Sequence, residues 1–177
     1  MEEKSSEDTA TLHDIVNGKR EEFEFQRGLE HAIQLKKESP DIPLIFLFDG
    51  SLIFWHLHNK NSAIKDYFIE RYTQLLQEFY LQDILIAGYL SLTKNRDLTH
   101  LMNLYLHSTL APSNNTFKPS SAIDDSLIMK FALKPGERST VFKSNSPVTQ
   151  TTPEHLHPHF FYYDTGYELA RIEIPAH

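Results

Sequence analysis

The chain has 177 residues, no cysteine, 40% hydrophobic and 23% charged residues, and a net charge of −7. Those values describe one globular domain and exclude wholesale disorder, a disulfide scaffold and a thiolate metal site. Residues 1–83 carry the whole imbalance, 16 acids against 9 bases, and residues 84–177 are neutral; this argues against a module that grips nucleic acid by charge alone and requires any DNA contact to be local or cation-mediated.

Residues 1–10 are acidic and serine-rich, without the apolar core of a signal peptide, and read as a flexible tail. A helix is expected from about Thr11 to Lys37, with Leu29 and Ile33 four apart and Glu22, Arg27, Lys36 and Lys37 on a wet face. Ser39-Pro40 closes it, because the residue before proline disfavours helical geometry. The run Leu44-Ile45-Phe46-Leu47-Phe48 predicts a strand covered on both faces, as in a parallel sheet, ending at Asp49-Gly50-Ser51. The longest apolar run, 42–48, is too short to span a bilayer, so a soluble, cytoplasmic protein without a membrane partner is expected.

Ile64, Phe68, Tyr72, Leu75, Leu76 and Phe79 recur at helical spacing, and Ile84 to Leu90 is again strand-like. Strand, helix and strand make a βαβ unit with a right-handed crossover. A helix over about Asp97–His107 follows, then a Pro-, Ser- and Asn-rich loop over Ala111–Ser121, and a short helix over Asp124–Leu133 stopped by Pro135-Gly136. The remainder turns β, at Val141-Phe142, Phe160–Tyr163 and Tyr167–Ile174, with Asp164-Thr165-Gly166 as the hairpin turn. In the last strand Leu169, Arg171 and Glu173 alternate with Ala170, Ile172 and Ile174. The fold class is α/β with a mixed central sheet flanked by helices, and residues 11–177 read as a single domain.

Asp49 is the sharpest chemical feature. A carboxylate at the carboxyl end of a strand points into the crevice where α/β sheets bind ligands, and its oxygens suit Mg²⁺ or Mn²⁺; the competing reading is a plain Asp-Gly turn. Glu30 lies on the preceding helix, where a solvated role competes with a share in phosphodiester hydrolysis by two carboxylate-held metals. His155, His157 and His159 alternate, but Pro158 interrupts them and a surface loop is the better reading; His56 and His58 are similarly ambiguous. Lys130, Lys134, Arg138 and Lys143 form the most basic stretch, either a C-capping turn with solvated charges or a phosphate-contacting patch. Ser139 has no evident His/Asp partner pattern.

Several segments in this order resemble the NurA domain. They are 47–52 (LFDGSL), 86–91 (IAGYLS), 123–127 (IDDSL), 133–142 (LKPGERSTVF), and Phe160-Phe161-Tyr162 through 168–175 (ELARIEIP), spanning roughly residues 25–175. The resemblance implies a ribonuclease H-like fold and Mn²⁺-dependent (alternatively Mg²⁺-dependent) DNA cleavage in DNA repair, coupled to a HerA-type hexameric ATPase, with DNA as substrate and a homodimer or complementing chain as partner. It implies a metal-binding, catalytic Asp49, a second acidic ligand at Glu30, and nucleic-acid contacts at Lys94 and Arg138. It also implies an incomplete domain: the family places a further metal-binding Asp on an earlier strand and a Tyr and a His beyond the Glu-Ile-Pro segment. The alternative function is a non-catalytic subunit that keeps the fold for assembly with a partner ATPase or second chain.

Overall fold

The computed structural model describes residues 2–54, 57, 62–91, 94–110, 123–146 and 152–176. Its first element, α1, runs from Glu2 to Glu38, so the segment expected to be a tail continues the helix. Lys36 and Lys37 sit in its last turn, at the negative end of the helix dipole. Lys36 also donates to the carbonyls of Gln82 (2.8 Å) and Asp83 (2.7 Å), tying the end of α1 to the turn before the second strand.

The remaining elements are β1 (Ile45–Phe48), α2 (Ser62–Leu81), β2 (Leu85–Leu90), α3 (Asp97–Leu110), α4 (Asp125–Ala132), β3 (Phe142–Lys143), a 3-10 turn (Glu154–Leu156), β4 (Pro158–Asp164) and β5 (Leu169–Pro175). The five strands form a mixed sheet in the order β1-β2-β5-β4-β3, agreeing with the α/β, ribonuclease H-like expectation. β1 and β2 are parallel, with Ile45 beside Leu85 and Phe48 beside Gly88, as the strand–helix–strand pattern required. No helix among the described residues is long and apolar enough to cross a membrane.

The chain gathers into two compact units. The first comprises residues 1–88, 143–159 and 173–177, the second residues 89–142 and 160–172. The core of the first is aromatic: Phe25 of α1 lies 4.3 Å from Phe48, Phe46 stacks on Phe79 at 5.2 Å, and Phe54 on Tyr72 at 4.2 Å, centroid to centroid. Full burial of such side chains contributes about 1.5–3 kcal/mol each. The core of the second unit is smaller, built on Met129, Phe160, Tyr162 and Leu169.

One expectation fails. β1 is covered on one face only: Phe46 and Phe48 turn inward, while Ile45 and Leu47 are 64% and 58% exposed and Leu85 is 49% exposed. A continuous apolar run in the sequence does not distinguish two covered faces from one.

Candidate active site

β1 delivers the chain into a turn whose geometry is fixed residue by residue. Gly50 N–H donates to the Phe48 carbonyl at 2.9 Å, leaving Asp49 exposed at the head of the bend. A Cβ built on Gly88 would lie 2.6 Å from the Gly50 carbonyl oxygen, so the close approach of β2 to the turn requires glycine there. Ser51 Oγ–H and Leu52 N–H both donate to Glu173 Oε2, each at 2.8 Å, and Ile53 N–H donates back to Ser51 Oγ at 3.1 Å. Leu52, Ile53 and Phe54 are buried, and Phe54 has a left-handed backbone (φ 53°). Bulky residues rarely adopt that conformation, and here the stacking on Tyr72 holds it.

Phe25 packs on Phe48, which brings the residue before Phe25 to the residue after Phe48. Glu24 is therefore the α1 carboxylate that feels Asp49. Partial burial of its carboxyl, then the Asp49 charge and to a lesser extent Glu21, push Glu24 above the usual carboxylate range, against an opposing effect of Arg20. Glu30 lies six residues further on, roughly 9 Å along the helix and about 120° around it. It is held by Arg27 at 2.7 Å and Gln26 at 3.2 Å. The Asp49 charge is thus felt at Glu24, while Glu30 is engaged by Arg27 and Gln26. Carboxylate oxygens are hard donors of the kind a divalent cation takes. No group of three or more His, Cys, Asp or Glu suited to a metal occurs among the described residues.

Two residues away from Glu24, Glu22 behaves oppositely. Burial alone would raise it, but Lys19 (2.7 Å) and Arg71 (2.9 Å) hold it below its usual range.

The second unit carries a buried polar network around the Ile123-Asp124-Asp125-Ser126-Leu127 segment. Asp125, fully buried, accepts from Leu98 N–H, Thr99 N–H and Thr99 Oγ–H at 2.7–2.9 Å, and from Tyr162 Oη–H at 2.7 Å. Arg171, also fully buried, reaches Asp97 at 2.5 Å and lies 3.7 Å over the Phe160 ring. Burial and the Asp125 bond push the Tyr162 phenol up. Asp124 pairs with Arg96 at 2.9 Å. These contacts fix residues 95–99, next to Lys94, which is exposed. Arg138 is exposed too, donating to the Ser139 carbonyl at 2.9 Å with its guanidinium 5.7 Å from the Phe161 ring.

His155 bonds Gln77 at 2.8 Å and packs on Tyr80, while His157 and His159 contact the carbonyls of Thr152 and His157. His155 thus ties its segment to α2, while His157 and His159 bond within their own segment. His56 and His58 lie outside the described residues. Sequence reasoning missed Glu24 and Glu173. The alternation of β5 was the available signal for Glu173, since its charged positions prove to be the buried ones.

A family model described as the NurA domain matches residues 2–177. Searches of curated proteins and of solved structures returned no match.

Proposed function

This chain belongs to the NurA domain family, a family of metal-dependent nucleases, and on that premise we propose that it is a metal-dependent DNA nuclease acting in DNA end processing in the cytoplasm. The observation that carries the reading is the exposed Asp49 on its clamped turn, whose charge is felt at Glu24 on α1. Asp49 is the principal metal ligand, with Glu24 or Glu30 as its acidic companion. Mn²⁺ is the expected ion, with Mg²⁺ as substitute. When bound, the metal lowers the pKa of a water and stabilises charge on the phosphate. Glu173 holds the turn that bears Asp49, and Lys94 and Arg138 are the proposed nucleic-acid contacts. A HerA-type hexameric ATPase and a second NurA-like chain, identical or complementing, are the proposed partners.

The absence of a third ligand among the described residues favours a second reading, a non-catalytic subunit kept for assembly. Calorimetric titration with Mn²⁺, followed by cleavage of end-labelled DNA, separates the two. Saturable binding by the chain, and cutting once a complementing NurA-like chain is supplied, both lost in Asp49→Ala, support the nuclease. Binding-silent, cleavage-silent wild-type protein supports the subunit.

A further inference from the structure

We infer that Glu173 is a positioning residue for Asp49, its buried carboxylate clamping the Asp-Gly-Ser turn that carries it. The inference rests on the metal-centre reading above. A fully buried carboxylate is costly to keep in a fold unless strong hydrogen bonds compensate it. Glu173 spends one oxygen, Oε2, on both Ser51 Oγ–H and Leu52 N–H, two charge-assisted bonds of 2.8 Å.

Ser51 Oγ then accepts from Ile53 N–H, so all three residues from 51 to 53 are tied to this one group, directly or through the hydroxyl. Upstream of the tie only Gly50 remains between Ser51 and Asp49. It is hemmed in by the Phe48 ring on one side and, through its carbonyl, by Gly88 on the other. The backbone that bears Asp49 is thereby held in place, which preorganises its carboxylate for a cation.

The test is Mn²⁺ titration calorimetry on the full 177-residue chain, with thermal unfolding recorded in parallel. Ser51→Ala removes one bond, and Glu173→Gln removes the charge from both while keeping an acceptor in place. Each is expected to weaken Mn²⁺ binding about tenfold, the scale of loss when a group orienting a metal ligand is changed, with a cooperative melt retained. The double variant should lose less than the product of the two, because both changes act on the same bonds. If Glu173→Gln does not fold, Ser51→Ala still reads the clamp. Folded variants that bind Mn²⁺ within twofold of wild type, or a double variant whose loss is the full product, overturn the inference. Wild type that does not bind, or Asp49→Ala that binds equally well, overturns it for a different reason, by removing the metal centre itself.

Discussion

Glu22 and Glu24 stand two residues apart on α1 and face opposite electrostatics, which gives them opposite pH signatures. The folded state raises Glu24, so its favourable contribution is complete below the unfolded value and is lost as pH rises through the folded one. Glu24→Gln should therefore raise the melting temperature at pH 7 by roughly 1–2 °C and leave it unchanged near pH 3. Glu22 is lowered, so its contribution is present above the unfolded value and is lost as pH falls through the folded one. Glu22→Gln should lower the melting temperature at pH 7, by about 2–4 °C for a loss near 1 kcal/mol, and converge with wild type in acid. Two melts per variant decide both signs. Mn²⁺ should reverse the benefit of Glu24→Gln, since the repulsion relieved in the free protein is what a cation uses. None of this was legible from the sequence, which marks both positions only as acidic residues on a helix. The packing of Phe25 on Phe48 next to these positions is a contact no spacing rule supplies.

At the scale of elements, local patterns were readable and their partners were not. The apolar spacing of α2 marked Phe68, Tyr72, Leu75, Leu76 and Phe79, all of them buried, and the parallel β1–β2 pair followed from the βαβ pattern. The alternation of β5 was visible as well. That its Arg171 and Glu173 face inward was not, because their compensating groups come from distant segments: Asp97 and Phe160 for the first, Ser51 and Leu52 for the second. Asp125 likewise reads only as an acid in the first turn of a short helix, yet it satisfies the first amides of α3. Asp125→Ala should cost about 2–4 kcal/mol in chemical denaturation, since it strands the Tyr162 hydroxyl and uncaps α3 together. Tyr162→Phe should cost about 1–2 kcal/mol, and the pair should be clearly non-additive. Equal and independent losses would mean the network is not a unit.

For the whole molecule, a net charge of −7 and the two proposed contacts, Lys94 and Arg138, bound how DNA can be held. Two phosphate contacts at about 0.9 each predict a slope of about −2 for log affinity against log salt, measured with Mn²⁺ held constant. A slope near −6 would place the contacts elsewhere. With two carboxylates at the centre, cleavage by this chain alone with Mn²⁺ should be weak or absent, because two-metal hydrolysis needs a second ion about 3.5–4 Å from the first. Vigorous cutting lost in Asp49→Ala would sink that expectation. The half-covered β1 strand bears on something more practical, the solubility of the protein. Among the described residues β1 ends the sheet, and it displays Ile45 and Leu47 to water in an uncharged apolar run. Such edges template aggregation, and a charge on the open face is the usual guard. Leu47→Lys should raise the concentration at which light scattering appears, while moving the melting temperature by no more than about 1–2 °C, since the side chain it replaces is already mostly in solvent.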